Sequence, residues 1–114
     1  MTDQEKESFA EAVYDIVCLI PAGRATSYGA IARAAGYARL SRMVGRIMAQ
    51  CDASARQIPA HRVVNSQGEL SGREAFGGGP GRMQELLEAE GVEVSNNRIK
   101  GWKNIFWDPL KEIY

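Results

Sequence analysis

The sequence has little cysteine, a single histidine, no long apolar run and no net charge. Two cysteines, Cys18 and Cys51, and one histidine occur among the 114 residues. The cysteines are far apart, which argues against a disulfide scaffold and against a zinc site. The longest apolar run, residues 16–22, contains Pro21 and is far shorter than the roughly 20 residues that cross a bilayer. With an acidic, polar N-terminus that is unlike a signal peptide, we expect an intracellular protein with no membrane partner.

What is present is the composition of one ordinary globular domain, with an uneven distribution of charge. The hydrophobic fraction is 45%, and basic and acidic residues number 14 each. Residues 1–23 hold one Lys against five acids, residues 24–73 hold eight Arg against two acids, and residues 74–114 hold five basic residues against seven acids. Every basic residue of the middle segment is Arg, whose forked guanidinium suits phosphates. This segment therefore favours a polyanionic partner.

Periodic apolar residues predict a mainly α-helical N-terminal half. Three helices are predicted, over residues 2–20, 28–35 and 40–49. Cys18 lies on or near the apolar stripe of the first helix and is expected to be buried. Thr26 or Ser27 can cap the second helix, and Gly36 can end it. The last two helices with their tight turn form a helix-turn-helix pattern, which on its own is a weak signal.

The second half mixes loops, a predicted hairpin and one helix. The expected order is a polar loop over 51–57, a hairpin over 61–71, a glycine-rich loop over 73–82, a helix over 82–90 and an apolar tail from residue 92. The apolar density of this tail predicts that it packs on the core.

The most specific stretch is Ile58-Pro-Ala-His-Arg-Val-Val. It resembles the signature Pro-Cys-His-Arg-Val of the O6-alkylguanine-DNA alkyltransferases. Three further stretches, which begin at Pro21, Ser41 and Leu86, resemble other parts of that family in the same order. The resemblance covers roughly residues 8–91, and it implies a winged helix-turn-helix-like domain of the alkyltransferase C-terminal type with a small β-hairpin. We therefore expect an alkyltransferase-like DNA-binding domain over residues 1–91, and a C-terminal extension over residues 92–114 that packs on it.

Ala60 is the decisive departure from that family. The alkyltransferases have at this position the cysteine that accepts the alkyl group, and a methyl side chain cannot act as a nucleophile. A complete scaffold without the nucleophile resembles the alkyltransferase-like proteins, in which Trp is the usual substitute. This resemblance implies a protein that binds O6-alkylguanine in duplex DNA without repairing it. It also implies that nucleotide excision repair proteins receive the lesion.

The resemblance assigns roles to individual residues. Tyr28 corresponds to the tyrosine that helps rotate the nucleotide out of the duplex, and Arg42 to the arginine that fills the gap left behind. The implied DNA-contacting residues are Tyr28, Ser41, Arg42, Gly45 and Arg46. The implied lesion pocket consists of Ala60, Val63, Ser66 and Arg73, with the Arg73 guanidinium stacked on the purine.

His61 and Glu90 match residues that help form the thiolate in the alkyltransferases. Because no thiol is left to activate, we expect them to form a structural hydrogen bond, and we expect Arg62 to tie the loop to backbone or acidic groups. Asp52 stands where the family has an asparagine that braces the turn. Neither a cofactor nor a metal is implied, and the protein is expected to be a cytoplasmic monomer, on the nucleoid if the cell is bacterial.

Two other functions stay open from the sequence. One is an alkyltransferase that uses another residue as its nucleophile. The other is a winged-helix transcription regulator, which would bind a specific sequence of undamaged DNA. Transfer of label from methylated DNA to the protein would identify the first, and sequence-specific binding to undamaged DNA would identify the second.

Overall fold

A computed structural model describes residues 1–50 and 57–113. The helices are α1 (Asp3–Cys18), α2 (Tyr28–Ala34), α3 (Ser41–Gln50), α4 (Arg82–Ala89), α5 (Trp102–Ile105) and α6 (Pro109–Glu112). The strands are β1 (Thr26–Ser27), β2 (Val63–Val64), β3 (Val94–Ser95) and β4 (Arg98–Ile99), and short 3-10 turns cover Ala38–Leu40, Ala60–Arg62 and Arg73–Ala75. Apart from Gln57, the predicted polar loop lies outside the described residues, as does the bracing role predicted for Asp52.

Helix α1 begins at a capping box and buries one apolar stripe. The Thr2 side chain accepts from the Glu5 backbone N–H at 3.1 Å, and the Glu5 carboxylate accepts from the Thr2 backbone N–H at 3.2 Å. Such reciprocal bonds satisfy backbone donors that the helix itself cannot. The helix ends two residues earlier than predicted, and Cys18 is exposed. The expectation of a buried Cys18 was wrong, because its position falls just outside the stripe formed by Val13, Ile16 and Val17.

Two apolar clusters form the core, and the short parallel pair β1–β2 separates them. The first cluster consists of Phe9, Val13, Ile16, Val17, Ile20, Ile31, Ala32, Val44, Ile58, Val63 and Trp107. The second consists of Ala25, Val64, Leu70, Met83, Leu87, Val92 and Ile99. Because neighbouring side chains of a strand point to opposite faces, Val63 joins the first cluster and Val64 the second.

The hairpin predicted over residues 61–71 was placed wrongly. Val63 and Val64 pair in parallel with Thr26 and Ser27 instead, a pairing of distant segments that local patterns do not reveal. The predicted turn itself is present, since the Gly68 backbone N–H donates to the Asn65 carbonyl at 3.0 Å.

The hairpin lies in the tail, where β3 pairs antiparallel with β4. Asn96 and Asn97 connect the two strands with φ angles of 52° and 62°, as a tight two-residue hairpin turn requires. The mainly helical fold with a small sheet is therefore confirmed, with the hairpin shifted along the chain.

The tail packs on the core. The Ala25 backbone N–H donates to the Ile105 carbonyl at 3.2 Å, and the Trp107 N–H donates to the Ala25 carbonyl at 2.8 Å. Arg24 fastens the same segment through bonds from its guanidinium to the carbonyls of Ile105 and Phe106, at 2.9 and 2.6 Å. Trp107 is buried in the first cluster. Residues 105–107 thus run beside Ala25, at the entry to β1.

Candidate nucleic-acid interface

Helices α2 and α3 form the helix-turn-helix, and local sequence explains its boundaries. The Ser27 hydroxyl accepts from the Ala30 backbone N–H at 3.1 Å and caps α2. At the other end Gly36 has a φ of 90°, and the N–H groups of Gly36 and Tyr37 donate to the carbonyls of Arg33 and Ala32. These two bonds form a Schellman motif, which ends the helix. The turn then leads directly into α3.

Helix α3 presents small residues and arginines away from the core. Val44 is its buried residue, while Ser41, Gly45 and Ala49 recur every four residues and therefore share one face. Arg42 and Arg46 are exposed and one helical turn apart. Within residues 1–50 and 57–113, no ion pair holds either of them, nor Arg33 or Arg39 in the preceding segment. The helix-turn-helix therefore carries four exposed guanidinium groups that are available to phosphates.

A narrow cavity, here called the central cavity, lies between α3 and the segments that follow Ala60. Its lining residues are Tyr28, Gly45, Met48, Ala49, Ala60, Val63, Gly72, Ala75, Phe76 and Met83. Ala60 is only 8% exposed, and its methyl group contributes no chemical function to the cavity. The wall is otherwise mostly apolar, so it suits an apolar group better than a charged one.

Tyr28 gives the central cavity a polar group. Burial raises the pKa of its hydroxyl, while a hydrogen bond with Ser71 opposes that rise. The tyrosine consequently stays protonated at neutral pH and can donate a hydrogen bond. Gly72 packs directly against it, since a Cβ atom at Gly72 would lie 2.7 Å from the Tyr28 hydroxyl oxygen. This close approach explains why glycine stands there.

Glu90 is the centre of a hydrogen-bonded group, here called the Glu90 network. Its carboxylate accepts from His61 Nε2 at 2.8 Å, from the Arg62 guanidinium at 2.6 Å and from the Gly23 backbone N–H at 3.1 Å. Arg62 also donates to the Ile20 carbonyl at 2.7 Å. The network thus links the 3-10 turn at Ala60 to the end of α4 and to the segment after α1.

The charge of Glu90 is stabilised by this network. Burial raises the pKa of the carboxyl group, but hydrogen bonds from Arg62, His61 and Gly23 outweigh burial and hold the pKa at about 2. The side chains of His61 and Glu90 are 12% and 15% exposed. The structural hydrogen bond predicted between His61 and Glu90 is present, and so is the predicted anchoring role of Arg62.

The structure brings only some of the predicted pocket residues together. Ala60 and Val63 line the central cavity with Tyr28 and Gly45, but Ser66 and Arg73 do not. Ser66 is exposed, and its carbonyl accepts from the Trp102 indole N–H at 3.0 Å, so the docked tail holds this turn outside the cavity. Arg73 is 45% exposed and lies 3.6 Å from the Glu74 carboxylate, next to the lining residue Gly72.

Sequence reasoning missed six lining residues as parts of a pocket, namely Met48, Ala49, Gly72, Ala75, Phe76 and Met83. The sequence predicted Met48 and Met83 as buried helix positions. Burial alone does not distinguish a residue of the core from a residue that lines a pocket. Ala75 and Phe76 lie on or beside a loop whose glycines suggested only flexibility. No local pattern in the sequence indicates that Phe76 turns inward, because its ring packs against the second apolar cluster, whose residues come from distant parts of the chain.

Two structural findings concern other kinds of site. Among the residues that the structure describes, no three His, Cys, Asp or Glu side chains group together as metal ligands. In the same part of the chain, every helix is too short or too polar to cross a membrane.

Comparisons with known proteins place this geometry in a family. Residues 8–92 match the family described as 6-O-methylguanine DNA methyltransferase, DNA binding domain. Alkyltransferase-like protein 1 of Schizosaccharomyces pombe is 36% identical over 107 residues, which cover 90% of this chain and 97% of that protein. This chain belongs to the alkyltransferase-like family.

Further similarities support the family and the fold. A DNA base-flipping protein of Vibrio parahaemolyticus is 33% identical to this alkyltransferase-like chain, with 90% and 99% of the two sequences covered. The crystal structure of Schizosaccharomyces pombe Atl1 in complex with damaged DNA containing O6-carboxymethylguanine is similar with a TM-score of 0.78. It is 37% identical and covers 90% of this chain and 97% of that one. The predicted resemblance and fold class are confirmed.

Proposed function

We propose that this protein binds O6-alkylguanine in duplex DNA, accepts the flipped base in the central cavity and transfers no alkyl group. The observation that carries this proposal is Ala60, a nearly buried methyl group in the wall of an apolar cavity beside the helix-turn-helix. An apolar wall gains from the burial of an alkyl group, which an unmodified guanine lacks. No nucleophile stands at position 60, so the base can be held but not repaired there.

The arginines of the helix-turn-helix supply the contact with DNA in this proposal. Arg46, together with Arg33 and Arg39, would neutralise phosphates, and the small residues Ser41 and Gly45 would let α3 approach the floor of the minor groove. Arg42 would occupy the gap left by the flipped nucleotide, and Tyr28 would help to turn that nucleotide outward. Unstacking a base costs a few kcal/mol, which explains the need for such a side chain.

Arg73 is proposed to contact the purine after binding. Its guanidinium is exposed next to the central cavity and its nearest charged neighbour, Glu74, is itself 75% exposed, so the existing ion pair is weak. A cation–π contact with the base would contribute about 0.5–2 kcal/mol. Ser66 was also predicted as a pocket residue, and in this proposal it remains at the rim.

Binding measurements at a fixed salt concentration test the proposal. Duplexes with and without one O6-methylguanine should differ in affinity for the wild-type protein, and Arg42→Ala and Arg73→Ala should reduce that difference. Arg98→Ala is the matched control, because Arg98 is exposed on β4 and its guanidinium donates to the Gln67 carbonyl, in the turn that lies outside the central cavity. Equal wild-type affinity for the two duplexes would refute lesion recognition, and sequence-specific binding to undamaged DNA would favour a transcription regulator.

The absence of alkyl transfer has its own test. Duplex DNA carrying a radiolabelled O6-methyl group should keep its label after incubation with the protein. Label on the protein would show that another side chain replaces the lost cysteine, and that the alternative of an atypical alkyltransferase is right.

A lesion that this protein binds but does not repair must be removed by other proteins. We propose that nucleotide excision repair proteins are the partners that remove it. The protein is proposed to act as a monomer in the cytoplasm, on the nucleoid in a bacterial cell. In cells that lack nucleotide excision repair, deletion of this protein should add no further sensitivity to alkylating agents. Added sensitivity in that background would contradict the proposed partners.

A further inference from the structure

Phe76 is the aromatic side chain on the loop side of the central cavity. It follows the 3-10 turn Arg73–Ala75, whose last bond runs from the Phe76 backbone N–H to the Arg73 carbonyl at 3.3 Å. Its ring is half-buried and packs against the second apolar cluster. Tyr28 and Ala60 belong to the same cavity lining, so the ring lies in the space that the proposed function reserves for a base.

The central cavity is too small for a base in the form described here. Its volume is about 30 Å³, which exceeds the roughly 10–15 Å³ that one water needs but falls far short of a purine. A flipped base can therefore enter only if part of the wall moves. Val63 and Met83 are 1% exposed and belong to the two packed clusters, so they are poor candidates for that movement.

The glycine-rich loop, residues 76–81, can supply the movement. Phe76 is followed by Gly77, Gly78, Gly79, Pro80 and Gly81, and the φ angles of Gly78 and Gly79 are 96° and 97°. Glycine restricts the backbone least of all residues. The ring of Phe76 can thus leave the cavity and return against a base through a change in the loop backbone. This change would strain or break the bond from the Arg82 N–H to the Gly79 carbonyl, 3.2 Å long, at the start of α4.

We propose that Phe76 is the side chain that stacks against the flipped base and closes the central cavity over it. This inference rests on the proposed function. Aromatic rings stack on any base, because every base has a π face. Arg73 lies three residues before Phe76, in the 3-10 turn that leads to it, so in this proposal the guanidinium and the ring reach the base from the same segment.

The test compares Phe76→Ala and Phe76→Leu with the wild-type protein on duplexes with and without O6-methylguanine. Loss of one base–aromatic stack should weaken lesion binding roughly 5- to 150-fold in Phe76→Ala. Phe76→Leu keeps apolar volume and should lose only part of that affinity. Binding to the undamaged duplex should change less than about twofold in both variants, since backbone contacts dominate it.

Phe106→Leu is the matched control. Phe106 is also a half-buried phenylalanine, but it packs against Trp102 with ring centroids 5.4 Å apart, away from the central cavity. This variant should keep the wild-type ratio of affinities for the two duplexes. Thermal unfolding of all variants establishes that losses of binding do not come from loss of structure.

The outcomes separate the two proposals. If the wild-type protein does not distinguish the duplexes, the proposed function fails before any variant is measured, and this inference fails with it. If the wild type does distinguish them, unchanged lesion affinity in a folded Phe76→Ala protein overturns the role of Phe76 alone. Tighter lesion binding by that variant also overturns it, since Phe76 would then only obstruct the cavity.

A second measurement tests the movement itself. Gly77 and Gly81 have ordinary φ angles, and a Cβ atom at either position would meet no other atom within 4 Å. The double variant Gly77→Ala, Gly81→Ala should therefore preserve the described loop but restrict its motion. We expect association with lesion DNA to slow by roughly threefold or more, and an unchanged association rate would show that the loop does not need to move.

Discussion

The central cavity has two walls that are built in different ways. The wall that carries Ala60 is fastened by the Glu90 network, in which one carboxylate accepts from His61, Arg62 and the Gly23 backbone. Another part of the lining, Ala75 and Phe76, lies at the start of the glycine-rich loop, where Phe76 is followed by four glycines and one proline. A site that must recognise a base needs a fixed reference surface, and a site that must admit a base needs a surface that moves. The central cavity combines a fixed surface around Ala60 with a mobile surface at Phe76.

Glu90→Gln should give the largest change in the free energy of unfolding, because it weakens the Glu90 network that fastens the wall around Ala60. The amide cannot carry the charge that Arg62 and His61 stabilise, so Arg62 stays partly buried without an anionic partner. We expect a loss of about 2–3 kcal/mol in the free energy of unfolding, measured by urea denaturation. Glu88→Gln, an exposed change in the last turn of α4, just before Glu90, should alter the free energy of unfolding by less than about 0.5 kcal/mol. Equal effects of the two changes would contradict the comparison.

Acid titration should weaken the same wall without a mutation. The pKa of Glu90 is about 2 in the folded protein, against an ordinary value of 4.5. A lowered pKa adds stability that is complete above the unfolded value and disappears as the pH falls through the folded one. Unfolding free energy should thus decline between about pH 4.5 and pH 2 more steeply in the wild type than in Glu90→Gln. Identical pH profiles of the two proteins would show that Glu90 does not contribute.

Gly72→Ala should have an intermediate effect, since Gly72 lies where the moving wall meets Tyr28. A new Cβ atom would lie 2.7 Å from the Tyr28 hydroxyl oxygen, so the tyrosine or the loop must shift. Overpacking of this kind costs about 1–3 kcal/mol, measured by thermal or urea unfolding. Gly77→Ala is the control with open space around its new atom, and a Gly72→Ala protein as stable as that control would refute the close packing.

Gly81→Ala should have the smallest effect on the free energy of unfolding, and it should increase stability where the other changes reduce it. Gly81 has φ and ψ angles of −82° and −15°, which alanine adopts without strain. Replacement of glycine at such a position raises stability by about 0.4–1 kcal/mol by restricting the unfolded chain. A clear loss of stability in the same unfolding measurement would mean that the glycine-rich loop is more tightly fitted than its open surroundings indicate.

Sequence reasoning predicted the parts of the fold that depend on local patterns. The helices α1, α2 and α3 and their end signals follow from periodicity and from residues such as Ser27 and Gly36. The pairing of β1 with β2 was not predictable in this way, because two residues on each strand contain no period and the partners are distant in sequence. The tail hairpin was missed for a related reason, since only Asn96 and Asn97 indicate it.

The residues of the candidate site likewise divide into those that motifs revealed and those whose positions depend on tertiary packing. Ala60, Tyr28, Gly45 and the arginines of α3 were found from motifs, and the structure brings the first three to one cavity. Ser66 was expected in the pocket, but the indole of Trp102 fixes its turn elsewhere. Phe76 was not expected at all, because the direction of one ring on a loop depends on tertiary packing.

The bonds between Ala25 and residues 105–107 have a consequence for how the chain folds. Ala25 precedes the helix-turn-helix, yet its two backbone partners are synthesised about 80 residues later, and Trp107 completes the cluster on which α1 rests. Such long-range contacts are slow to form, because a large loop must close first. During synthesis, the DNA-binding helices therefore emerge well before the segment that supports them. The nascent chain reaches this arrangement only after residues 105–107 have left the ribosome.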